Sequence, residues 1–158
     1  MRIRTVAFAL GITAGLSVGP ALALDRPGVD QLRDKAAAIL EEQGIEAGSK
    51  FLGDPANGFL DLQGPGLHTW SMNRQGRIVF DHSGQTTPDM DLSTLSTPNG
   101  EMMVPKTFKY ADQPNGSGYD EPTAWPHPVT GTISNSYLSC KTLKTNKDVA
   151  VCAMAWID

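Results

Sequence analysis

Cysteine is scarce. The 158 residues hold two, with no CxxC pair and no third thiol, which excludes thioredoxin-type redox chemistry, an all-cysteine zinc site and covalent haem attachment through CxxCH. Cations are also few: 13 Lys and Arg stand against 17 Asp and Glu, and the formal net charge is -4. They form no block outside the extreme N-terminus, so the clustered cations that a nucleic-acid surface needs are missing. Neither a Gly-x-Ser-x-Gly elbow nor a phosphate-binding glycine loop occurs, which removes the commonest hydrolase and nucleotide-binding signatures. Asp89, Asp91 and Glu101 do not match the twelve-residue ligand spacing of an EF-hand. Past residue 23 no run is apolar enough to span a bilayer.

What remains is a chain of one-domain size with 40% hydrophobic and 19% charged residues, suited to a folded core. Its 16 Gly and 11 Pro call for many turns and short elements. Met1-Arg2-Ile3-Arg4 is a cationic start, Val6 to Ala23 carries no charge, and Ala21-Leu22-Ala23 has the small-x-small form of a cleavage site. This pattern predicts a secretory signal peptide over residues 1–23 and an exported domain over 24–158, periplasmic or secreted. Gly11, Gly15, Gly19 and Pro20 argue against a retained membrane helix.

The two cysteines suit that compartment. Cys140 and Cys152 lie in strand-like runs, Ser136 to Thr142 and Asp148 to Ile157, around the polar stretch Leu143 to Lys147. A hairpin centred on Asn146 sets them directly opposite one another, close enough for a disulfide. The same register sets Tyr137 against Ala155 and Ser139 against Ala153.

Asp30 to Gln43 reads as a long N-terminal helix, with Leu32, Ala36, Ile39 and Leu40 at helical spacing, Pro27 and Gly28 before it and Gly44 to end it. A shorter helical piece is expected over Ile45 to Leu52. Leu67–Arg74 and Arg77–His82 read as two strands about Arg74-Gln75-Gly76, with Gly76 supplying the positive φ of a three-residue loop. Strict alternation from that loop pairs Met72 with Ile78, Trp70 with Phe80 and His68 with His82. Ser83 to Pro98 reads as an irregular loop. Glu101 to Tyr110 has room for a turn or two of helix, with Pro105 against a long one. Tyr119 to Trp125 is a strand candidate interrupted by Pro122. The whole predicts an α+β domain: a PAS-like single antiparallel sheet of about five strands with a long N-terminal helix.

Two imidazoles at one end of an apolar hairpin face suit the wall of a half-polar pocket. They also suit a transition metal, although Asp81, by alternation, points to the opposite face and offers no third ligand. The small residues opposite Tyr137 and Ser139 leave room above the sheet, and Trp125 is placed to form a wall or lid. The candidate ligand-binding residues are therefore His68, Trp70, His82, Tyr119, Trp125, Tyr137 and Ser139. No catalytic residue, metal set or cofactor is assigned.

The order of these signals resembles the single Cache domain, an extracytoplasmic small-molecule sensing module. The similar stretches are Phe51-Leu52-Gly53-Asp54-Pro55 with Gly58-Phe59, the hairpin Trp70 to His82, and Asp91-Leu92 through Pro98-Asn99-Gly100. Gly118-Tyr119 with the turn Trp125-Pro126-His127-Pro128-Val129-Thr130-Gly131, and Tyr137 with the closing strand to Trp156, complete the likeness. Together they cover nearly all of 28–157, and the Trp125–Gly131 turn is the most specific. Two departures stand out. Ile133 to Ser136 lacks the Lys that commonly meets a ligand carboxylate in that family, and His68 stands where a Tyr is usual. The resemblance implies a non-catalytic domain that binds a small polar metabolite and signals occupancy to a partner, a membrane receptor or another exported protein. Members of the family are mostly receptor parts flanked by membrane helices, and with the sequence ending at Asp158 a free-standing version is expected here. Two other readings stay open: a periplasmic accessory protein that binds an exported oxidoreductase or transporter, and a metal-binding protein built on His68 and His82.

Overall fold

The computed structural model describes residues 25–64 and 66–157; the signal-peptide reading of residues 1–23 lies outside them. Helix α1 runs Arg26–Gln43, four residues earlier than the apolar periodicity alone suggests. The reason is local. Asp25 caps the helix by accepting the Gly28 amide, and Pro27 sits in the first turn, where a missing N–H costs nothing. Gly44, at φ 79°, breaks α1 from α2, Ile45–Leu52.

Among the described residues six strands form one antiparallel sheet: β1 (His68–Asn73), β2 (Ile78–Asp81), β3 (Ser117–Gly118), β4 (Thr123–Pro126), β5 (Ile133–Thr142) and β6 (Val149–Trp156). The order is β2-β1-β6-β5-β3, with β4 also paired to β5. The expected count of about five becomes six because the two-residue β3 lies just ahead of the Tyr119–Trp125 candidate, which itself is strand only after Pro122, as β4. Helix α3, Met103–Ala111, tolerates Pro105 because that residue is third in the helix, among the amides that have no intrahelical partner. Segment 89–92 is less irregular than the sequence suggests. Ile78 N donates to Met90 O and Leu92 N to Gly76 O, which covers the outer side of β2.

Helices and loops sandwich the sheet. β6 lies at its centre with every residue buried, so it reads as a nearly continuous apolar run. Val149, Val151, Ala153 and Ala155 face α1 and α2, while Cys152, Met154 and Trp156 face α3. The β5–β6 register matches the expectation residue by residue: Tyr137 opposite Ala155, Ser139 opposite Ala153, Cys140 opposite Cys152. The two cysteines form the disulfide.

The β1–β2 hairpin departs from the expected register after its first pair. Met72 pairs with Ile78, but Ser71 pairs with Phe80 and Trp70 with Asp81, which makes Val79 the extra residue of a β-bulge. A bulge shifts everything beyond it by one and so exchanges faces. Phe80 turns to the helix side and packs with Ala37 and Leu40, and Asp81 comes to the side that alternation had reserved for Phe80 and His82.

Candidate functional site

On the α3 side of the sheet lies a hollow of about 310 Å³. Its floor is β1, β2 and β6, through His68, Trp70, Ile78 and Met154. Gln85, Thr86, Met90, Leu92 and Leu95 from the 85–95 segment form one wall, and Trp125 with Pro126 forms another. The lining is mostly apolar with a few polar groups at one end, the usual build of a small-molecule site.

His68 anchors the polar end. It is 3% exposed, and its Nδ1 lies 3.2 Å from the Gly66 carbonyl. Burial pushes its imidazole below the ordinary value, against the pull of Asp81, so the ring is neutral at neutral pH. A carbonyl only accepts, so Nδ1 carries the proton and Nε2 is left as an acceptor. The ring stacks on Trp156 at 5.4 Å, and His127 meets the same indole edge-on at 5.3 Å. Gly66, at φ 64°, allows that packing; a Cβ there would stand 2.6 Å from Trp156 Cε3. Trp156 Nε1 donates to the Trp125 carbonyl at 3.2 Å, fixing the indole beneath β4.

Asp81 lies opposite His68, with Oδ1 4.0 Å from Nε2. Its carboxylate organises the following loop. Oδ1 accepts the Ser83 amide at 2.8 Å, and Oδ2 accepts Ser83 Oγ, Thr86 N and Thr86 Oγ1 at 2.9, 3.1 and 2.7 Å. That clamp holds Gln85 and Thr86 at the mouth, where Gln85 Nε2 donates to the Pro126 carbonyl at 2.8 Å.

Of the seven residues expected from the sequence, the hollow brings together His68, Trp70 and Trp125. The other four lie elsewhere. His82 follows the bulge to the helix side, its ring tilted against Phe80 at 5.1 Å between centres and packed over Gly53. Burial first, against a hydrogen bond with the Ser49 backbone, holds its imidazole below the ordinary range. The expected His68–His82 pair is thereby undone, and with it the two-imidazole metal reading; among the described residues no group of three His, Cys, Asp or Glu is placed to hold a metal ion.

Tyr119 is buried beneath α3, stacked on Tyr110 at 4.5 Å, with its hydroxyl 3.1 Å from Thr107 Oγ1, and burial raises its pKa. Ser139 and Tyr137 face α1. Ser139 Oγ accepts from Arg33 Nη1 at 2.6 Å and donates to Asp30, while the Arg26 guanidinium lies 5.6 Å from the centre of the Tyr137 ring. The room left by Ala153 and Ala155 is therefore filled by the N-terminal helix. Alternation hid Asp81, but a local signal existed: Asp-x-Ser followed by Gly and Thr is a side-chain-to-backbone turn motif.

Known structures place the architecture. No protein-family model matches the chain, and a search of curated proteins finds no match. Solved structures do match. A periplasmic sensor domain of a chemotaxis protein superposes with a TM-score of 0.62 at 17% identity, over 89% of this chain and 100% of its own. A Cache chemosensory domain studied for carboxylic acid recognition gives 0.60 at 14% identity, over 84% and 92%. A methyl-accepting chemotaxis protein from Vibrio parahaemolyticus gives 0.57 at 13%, over 84% and 82%. The chain has the Cache sensor-domain fold, as the resemblance of its sequence implies.

Proposed function

We propose that this chain is an extracytoplasmic sensing domain that holds a small molecule in the hollow between β1, β2, β6 and the 85–95 segment and makes or breaks no bond. One observation carries the reading: a well-walled, largely apolar space with His68, Asp81, Gln85 and Thr86 converging at one end, on a fold shared with chemosensory domains. The export signal read in residues 1–23 supports work in the periplasm or outside the cell. The ligand-binding residues are then His68, Trp70 and Trp125 from the sequence reading, joined by Asp81 and Thr86. His82, Tyr119, Tyr137 and Ser139 act in packing. Occupancy is passed to a partner protein, as in sensors whose bound state is the favoured one.

The test is a thermal-shift screen with amines, amino acids, organic acids, alcohols and purines. Binding to the native state alone raises the melting temperature with ligand concentration. Met90→Trp is the control, because Met90 is exposed at the wall of the hollow and a large indole there obstructs the space without touching the core. A shift in the natural chain that vanishes in Met90→Trp is the expected result. No shift with any class, or shifts that persist in the variant, would overturn the reading.

A further inference from the structure

We propose that the hollow takes a small organic ammonium, its N–H groups shared between His68 Nε2 and Asp81 Oδ1; this rests on the binding reading above. Two acceptors face one another here. His68 spends its ring proton on the Gly66 carbonyl, so Nε2 has a lone pair to offer. Asp81 Oδ2 already takes three donors, but Oδ1 takes only the Ser83 amide. The gap between Nε2 and Oδ1 is 4.0 Å, too long for a hydrogen bond and short enough for one nitrogen to reach both. Oδ1 keeps a lone pair beyond the one that the Ser83 amide takes, and Nε2 keeps its own, so a nitrogen that brings two hydrogens into the gap satisfies both.

Charge narrows the choice. Among the described residues, the hollow is lined by no Lys or Arg, and Asp81 is its one carboxylate. The carboxylate side chain is itself 6% exposed, so its charge is poorly screened. A ligand carboxylate placed here would set a third acceptor, also anionic, against two others with no cation to receive it. An alcohol brings one hydrogen for two acceptors. An ammonium brings at least two, together with the charge that Asp81 lacks, and Trp70 and Trp125 line the same space for its alkyl body and for cation–π contact. A carboxylic acid ligand, as in the chemosensory domain of like fold, is thus disfavoured in this chain by its own lining.

The experiment varies only the head group. Cyclohexyl and n-butyl ammonium, alcohol, carboxamide and carboxylate are titrated into the purified protein by calorimetry and by indole fluorescence. The ammonium of each series should bind tightest, about tenfold or more above the alcohol and further above the carboxylate. Asp81→Asn should abolish that preference. Because Asp81 also anchors the 83–86 loop, His68→Phe is the second variant; it keeps a ring against Trp156, removes Nε2 and should narrow the ammonium-to-alcohol ratio to about threefold or less. Tightest binding by carboxylate or carboxamide overturns the ammonium assignment and leaves the binding reading standing. Silence of all eight compounds together with a flat metabolite screen overturns both.

Discussion

His68 is the residue on which polarity, burial and packing meet. Its pKa is depressed by burial, with Asp81 pulling the other way and His82 and His127 adding to the depression. His82 is depressed by burial as well. A base whose native pKa lies below its ordinary 6.5 binds fewer protons folded than unfolded, so unfolding takes up protons. The contribution to stability is full above about pH 6.5 and declines as the pH falls through that value toward the native pKa. Urea midpoints should therefore drop between pH 7.5 and pH 5.5, and His68→Phe should flatten part of the slope. A midpoint that rises on acidification, or a slope unchanged in the variant, would contradict a neutral buried ring. The carboxylates Asp91 and Asp112, held low by Ser93 and by Arg74 respectively, lose their share only at more acid pH, below the ordinary 3.8.

At the scale of elements, α1 is bound to the sheet through one buried cation. Arg33 is 4% exposed and reaches Asp30 at 3.1 Å, Asp34 at 3.0 Å and Ser139 Oγ at 2.6 Å, while Lys141 meets Asp34 from β5 at 3.0 Å. Removing the guanidinium leaves Asp30 and Ser139 without its donors. Arg33→Ala should cost about 3 kcal/mol, near the low end for a broken buried pair because both aspartates keep contact with water. Chemical denaturation measures it, and a loss below about 0.5 kcal/mol, the scale of an ordinary surface substitution, would show that apolar packing alone docks the helix.

The elements also explain which parts of the site can be read in advance. The β5–β6 register follows from a turn centre and strict alternation, and every expected pair is found. The β1–β2 hairpin begins with an equally good turn, Gly76 standing at φ 82°, yet one extra residue at Val79 reverses the faces beyond it. Ile-Val-Phe carries no mark that distinguishes a bulged strand from a regular one, because the residues on both faces are apolar. Alternation therefore sets His82 on the side of the hollow where the bulge puts Asp81, although the turn motif after Asp81 is in plain view. Tyr137 and Ser139 face α1 and not open space for a different reason: periodicity tells which residues share a face, but not which element will cover it.

Over the whole molecule, the α+β class, the single antiparallel sheet, the long first helix and the Cache-like order of elements are all readable from the residues. The hollow is not, since it arises where the 85–95 segment folds back over β2 through amide bonds that no side-chain pattern announces. Within this architecture the cross-link sits in a revealing place. Cys140 and Cys152 are both fully buried, on the side of β5 and β6 that α3 covers, in one cluster with Phe108 and Tyr110. Thiol exchange needs an attacking thiolate to reach a sulfur. The bond must therefore be set while the last hairpin is still uncovered, and closure of the third helix then seals it away from any reagent in the surroundings. Dithiothreitol should leave native protein oxidised for hours and reduce it promptly once urea has opened the core, as alkylation and mass measurement would reveal; quick reduction without urea would contradict the seal. A protein built this way keeps a lasting chemical record of the surroundings in which its chain first closed.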